Sequence, residues 1–240
     1  MLTALRRARR SLPLGLRADD VELLDGDTLS MSEVDCNLAD LARLNRLPGG
    51  VRASIDGVRR LLGDRTEGRI LDAGTGRGDM PLAFARRGWT TTALDSNPDV
   101  LVIARRETAR APGIEVVDGD ARTLPFEDDA FDVSHCSLLV HHLDPPEVVA
   151  VLRELRRVAR RGVVINDLRR GILPLLATTV SARALGGSRV TRSDALVSAR
   201  RAYTLAELDD LIGEAGLAVR WRSPGWLPRV VTAATPAARS

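Results

Sequence analysis

Lysine is missing from this chain, and all 35 basic residues are arginine. That absence removes Schiff-base catalysis, a Walker-type phosphate lysine and a Ser-Lys nucleophile pair. Cysteine occurs only at positions 36 and 136; the two form no spaced pair, so no disulfide framework is expected and a reducing compartment is the default. Aromatics are held to 3%, too few for a base-stacking surface that grips single-stranded nucleic acid. No apolar run approaches the ~18 residues that would span a bilayer. The N-terminal M-L-T-A-L-R-R-A-R-R-S-L-P-L-G-L lacks the apolar core of a secretory signal. These absences lead to the expectation of a soluble, cytoplasmic protein, monomer or homodimer. The net charge of +3 comes from arginines interleaved with acids. That is not the continuous basic face a nucleic-acid partner favours, so none is expected.

What is present is enough for one large domain with a sizeable cap. Residues 1–65 read as a helical N-terminal cap or lid. Leu38, Leu41, Leu44 and Leu47 fall on one helical face, P-G-G at 48–50 stops that helix, and Val51, Ile55, Val58 and Leu62 mark a second. Across 66–240 strands and helices alternate. R-I-L-D-A, T-T-T-A-L-D, I-E-V-V-D, F-D-V-S-H-C (131–136) and G-V-V-I-N-D read as strands. L-A-V-R-W-R and W-L-P-R-V-V-T-A (226–233) could close the sheet. Asp144 with Glu147, and Thr204 with Glu207, read as capping boxes opening helices. The pattern predicts an α/β fold with a doubly wound, mostly parallel seven-stranded sheet. It is interrupted at about 171–202 by a mostly apolar insert.

The turn after the first strand is D-A-G-T-G-R-G-D, with glycines at 74, 76 and 78 that permit positive φ and close backbone approach to a ligand. Asp95 ends the second strand roughly 20 residues beyond Asp72, the spacing of an acid that grips ribose hydroxyls. The loop is not G-x-G-x-x-G, and Asp72 and Asp79 would repel a pyrophosphate. A ligand carrying an ammonium and a sulfonium tolerates such acids, so S-adenosylmethionine (SAM) fits better than NAD.

The stretches I-L-D-A-G-T-G-R-G, A-L-D-S-N-P, G-D-A-R-T-L-P-F-E-D-D-A-F-D-V and H-H-L-D, in that order, resemble the class I SAM-dependent methyltransferases. The likeness is greatest to their ubiquinone/menaquinone-biosynthesis-like small-molecule branch, and it covers about residues 65 to 168. The resemblance implies a Rossmann-like fold, SAM as cofactor and S-adenosylhomocysteine as product. It also implies that Gly74 and Gly76 pass the methionine end, Asp95 with the neighbouring Ser96 holds the ribose, and Asp120 with the Ala121 amide reads the adenine. Asp72, Cys136 and Ser137 join this cofactor set as residues at the carboxyl ends of adjoining strands.

All three histidines lie in S-H-C-S-L-L-V-H-H-L-D, residues 134–144. His135 falls inside a strand and is read as a satisfied core histidine. His141 and His142 follow the strand and are expected to point different ways, with Asp167 leaving the neighbouring strand. Methyl transfer from a sulfonium is an in-line displacement, and a phenol acceptor gains from a base such as histidine, with an unperturbed pKa of ~6.5. The catalytic candidates are therefore His142, His141 and Asp167, the last orienting an imidazole.

No acid ends the fourth strand, so no metal is expected. D-P-P at 144–146 superficially resembles the D-P-P-Y of adenine-amino methyltransferases, but Glu147 replaces the aromatic. Arg169, Arg170 and Arg183 flank the apolar insert, which reads as a lid over the acceptor. The expected activity is O-methylation of a small hydrophobic phenolic, polyketide-like or isoprenoid-quinol acceptor. The alternatives are C- or N-methylation of another small molecule, an RNA or protein methyltransferase, and a non-catalytic SAM-binding module.

Overall fold

The computed structural model describes residues 17–18, 29–47, 50–224 and 229–238. The N-terminal stretch 1–16, Gly49 and the W-L-P at 226–228 lie outside the described residues. Among the described residues, two helices, α1 (Met31–Leu44) and α2 (Val51–Leu62), precede a seven-stranded sheet of order β3-β2-β1-β4-β5-β7-β6. Its strands are β1 (Arg69–Ala73), β2 (Thr90–Asp95), β3 (Ile114–Asp118), β4 (Val133–Ser137), β5 (Val163–Leu168), β6 (Leu217–Arg222) and β7 (Arg229–Pro236). The first five run parallel, and β7 enters antiparallel between β5 and β6. The connecting helices are α3 (Asp79–Ala85), α4 (Pro98–Thr108), α5 (Pro145–Arg157), α6 (Ile172–Leu185), α7 (Arg189–Arg201) and α8 (Leu205–Glu214). This is the doubly wound, mostly parallel sheet that the alternation predicts.

Both faces of the sheet are covered, which explains the near-continuous apolar strands. Successive residues feed opposite layers. Ile70, Val133, Val164 and Val231 pack with Ile55, Val58 and Phe84 on the α2/α3 side. Leu71, Cys136, Val163 and Ile165 pack with Val148, Leu152 and Leu208 on the α5/α8 side. Helix starts follow the capping chemistry. Glu147 accepts from the Asp144 amide at 3.1 Å, and Glu207 accepts from the Thr204 amide at 2.7 Å.

Three local readings shift. The first helix begins at Met31, because Ser30 and Glu33 form a capping box upstream of the leucine row. The fourth strand begins at Val133 rather than 131, since Phe131 makes only an isolated bridge to Ala159. The insert is two helices, parted by Gly186 and Gly187 and restarted by a Ser188 cap. No described helix is long and apolar enough to cross a membrane.

Gly57 lets α2 sit directly on the sheet: a Cβ there would lie 3.1 Å from Val164 Cγ1 and 3.4 Å from Val231 Cγ1. Gly57→Val should therefore destabilise the fold by about 1–3 kcal/mol through overpacking. Urea unfolding with an unchanged m-value is the check, and equal stability would show that the α2–sheet contact yields freely.

Candidate active site

A cavity of about 490 Å³ opens over the carboxyl ends of β1, β2, β4 and β5, within the range of small-ligand sites. Chain direction dictates the place. The crossover order reverses between β1 and β4, and loops from the two sides diverge there, leaving a crevice.

The floor is the glycine turn. Gly74 and Gly76 have φ of 69° and 55°, which keeps the backbone low enough to line the cavity. Beneath it, Asp72 is 1% exposed and commits both oxygens, one to Thr75 Oγ1 at 2.8 Å and one to His135 Nδ1 at 2.6 Å. His135 is fully buried, pairs across the sheet with Asp72, and meets Ser54 Oγ at 3.0 Å through Nε2. These two residues brace the loop from below.

Asp95 lines the cavity at the end of β2, accepting from the Gly76 amide at 3.2 Å and the Asn97 amide at 3.1 Å. Burial raises its carboxyl above the usual carboxylate range, against the pull of the amides of Asn97, Gly76 and Ser96. Ser96, Asp120, Ala121 and Ser137 also line the cavity. Asp120 is gripped by Arg122, whose hydrogen bonds lower its pKa.

Cys136 requires a correction. It stands one residue out of phase with Ser137, so its side chain enters the α5/α8 core at 1% exposure and does not line the cavity. Burial pushes its thiol pKa well up.

His141 and His142 also differ from expectation. They occupy a short 3₁₀ turn, Val140–His142, that keeps both rings on one side, 4.2 Å apart and both lining the cavity. Asp167, at the end of β5, fixes this turn. Its Oδ2 accepts from the Val140 amide at 2.7 Å and the His141 amide at 3.2 Å. Its Oδ1 meets His141 Nδ1 at 2.6 Å. Burial alone would raise the Asp167 carboxyl, but the His141 charge and hydrogen bonds outweigh it and leave the pKa lowered.

Three clamps on this turn were not legible in the sequence. Arg17 donates to the carbonyls of His141 and Leu143, Arg201 to those of His141 and His142, and Tyr203 Oη to Leu143 O at 2.8 Å. The R-A-Y at 201–203 was a visible signal, but nothing local links it to residues 141–143.

The apolar face of the insert does not line the cavity. Ile172, Leu173, Leu176 and Val180 are 57% to 76% exposed and face outward. Arg183 is exposed, and Arg170 turns inward to Ala202 O and Glu207. The insert instead lines the cavity with Thr178, Ser181, Thr191, Asp194 and Ser198, while the apolar wall is the row Leu38, Leu41, Leu44 and Leu47. Asp40 joins the two walls, accepting from the Ser188 amide at 2.7 Å and Thr191 Oγ1 at 2.9 Å. Among the described residues no group of three or more His, Cys, Asp or Glu could hold a metal ion.

Residues 70–162 match the family model described as a methyltransferase domain. Over those residues the chain is similar to a methyltransferase domain. A demethylmenaquinone methyltransferase of Staphylococcus aureus (strain MRSA252) is 29% identical over 111 residues, 45% of either chain. The chain thus matches less than half the length of that relative. A SAM-dependent methyltransferase from Aquifex aeolicus superposes with a TM-score of 0.58 at 18% identity, over 86% of this chain and 98% of that one. Magnesium protoporphyrin IX methyltransferase from Synechocystis PCC 6803, solved with bound S-adenosylhomocysteine, gives 0.58 at 17% identity, over 98% and 95%. At these identities the structural likeness speaks for the fold.

The placement of Asp95 against the glycine turn yields a direct expectation. Asp95→Ala should weaken S-adenosylhomocysteine binding by about 1.5–3 kcal/mol, the worth of charged hydrogen bonds to a ribose. Isothermal titration reads this, and unchanged affinity would remove Asp95 from the site.

Proposed function

We propose that the protein methylates a small, largely apolar acceptor at a hydroxyl, with SAM as donor and S-adenosylhomocysteine as product. The observation that carries this reading is the His141–Asp167 pair at the wall of a cavity whose floor suits SAM. An acid-lined floor, with Asp72, Asp79, Asp95 and Asp120 around a glycine turn, matches a cationic nucleoside and not a pyrophosphate. Gly74 and Gly76 would lie along the methionine end, Asp95 and Ser96 at the ribose, and Asp120 with the Ala121 amide at the adenine. SAM supplies an electrophilic methyl on its sulfonium.

The chain's own contribution is positioning and proton handling. An ionised Asp167 favours the proton on His141 Nδ1, which makes Nε2 the basic nitrogen of the ring. The arginine and tyrosine clamps hold the turn rigid, so the imidazole needs no reordering during transfer. His142 stacks beside it. The leucine row of α1 would take the acceptor's ring, and the small polar side chains of α6 and α7 its substituents. In this reading residues 1–65 form a cap and 171–202 the acceptor lid of the 66–240 methyltransferase domain. The name of the Staphylococcus aureus relative favours one second reading: methylation of a quinone-type acceptor.

Tritiated-methyl transfer to an extract of small molecules, total RNA and protein separates these readings, with label expected in an organic-soluble phenol. His141→Ala should then lower the labelling rate ~10²–10⁴-fold and leave S-adenosylhomocysteine affinity nearly unchanged. Asp167→Asn should act in the same direction. Label confined to RNA or protein would sink the acceptor assignment, and a wild-type rate in the double variant His141→Ala/His142→Ala would sink the base.

A further inference from the structure

Helix α6 is built the wrong way round for a helix facing water. On the helical period, Thr178, Ser181 and Ala182 share the face that lines the cavity. Ile172, Leu176 and Val180 recur every four residues on the opposite face, with Leu173 beside them. These four side chains are the ones exposed by 57% to 76%. The small polar side chains therefore look into the protein, and the large apolar ones look out. The helix packs on α1 and α7, which leaves its far face without cover. A contiguous patch of this kind marks an interaction surface, whereas single exposed leucines would not.

The charge around the patch is of one sign. Residues 168–203 carry seven arginines against one acid, a net charge of +6 where the whole chain carries +3. That one acid, Asp194, is buried. Arg183, Arg189 and Arg192 are exposed. Arg183 continues the apolar stripe itself, three residues beyond Val180, and Arg189 and Arg192 open α7. Arg189 is partly offset by Glu33 near the start of α1. A face that is apolar and cationic together suits the headgroup boundary of an anionic bilayer. A second copy of the chain suits it less, because a two-fold contact would bring the arginine-rich face against itself.

We infer that the outer face of α6 is a membrane-docking surface. Ile172, Leu173, Leu176 and Val180 enter the headgroup boundary of an anionic bilayer, and the surrounding arginines attract its phosphates. The inner face of the same helix lines the cavity, so a docked bilayer lies one helix diameter, ~10 Å, from that wall. Docking of this kind is independent of which acceptor the cavity takes.

Flotation of the full chain with lipid vesicles tests it, one set of phosphatidylcholine alone and one with an equal part of phosphatidylglycerol. The wild-type protein should partition onto the anionic vesicles on the order of tenfold more strongly, and added salt should weaken the attachment. Leu173→Ser/Leu176→Ser should lower the partition coefficient about tenfold or more, the scale of two leucines returned to water. Arg183→Gln should lower it several-fold. The replaced side chains are all exposed, so an unchanged melting temperature reports that the variants fold. A wild-type protein that ignores anionic vesicles, or that floats equally with both sets, would overturn the inference without recourse to any variant. So would a leucine variant that floats as the wild type does, since attachment would then belong to another basic segment such as the R-R-A-R-R of residues 6–10. Sedimentation equilibrium covers the rival occupant: a dimer that only the leucine variant loses, with no vesicle binding, would assign the face to a second copy instead.

Discussion

The carboxylate of Asp167 holds the segment after β4 over the open edge of the sheet, and the wall of the cavity is built around that anchor. It sits at the end of a strand buried along most of its length. From there it satisfies two amides and one imidazole of the 140–142 turn. A buried anion of this kind persists only with several donors around it, and the donors are what fold the turn. Without it the turn would lose both its backbone acceptor and the partner of His141.

Around that anchor the polar groups are divided between the two sides of the sheet. The α2 side carries a buried chain of hydrogen bonds from Asp72 through His135, Ser54 and Asn166 to Arg229 and Asn45. The α5/α8 side is almost wholly apolar. Each member of the polar chain has partners, so it specifies how α2 and the loop after α1 seat against the strands without an unmatched desolvation cost. Gly50 allows the close approach: a Cβ there would fall 1.9 Å from Asn45 O.

The leucine-lined side of the cavity is built differently, from segments before β1 and after β5. Their charges and hydroxyls, Asp40 with Thr191 and Ser188, tie α1 to α7 directly. The wall they form mixes leucines with small polar side chains.

Local sequence determined the parallel sheet. Apolar runs of strand length, glycines after them and Asp144 and Thr204 at helix starts are short-range signals, and they act within a few residues. The same locality placed Asp95 and Asp120 at strand ends and His135 inside a strand. Tertiary structure decided which side chains meet. The inward turn of Cys136 followed from a one-residue change of phase at the end of β4. The outward turn of Ile172 and Val180 followed from how α6 packs on α1 and α7. Arg229 became part of the cavity only because β7 inserts beside β5, bringing residue 229 to Asn45 and Ser137. Hydrogen bonds spanning some sixty to two hundred residues, such as those from Arg17 and Arg229, have no periodicity to announce them. Their geometry exists only once the sheet has fixed the order of its strands.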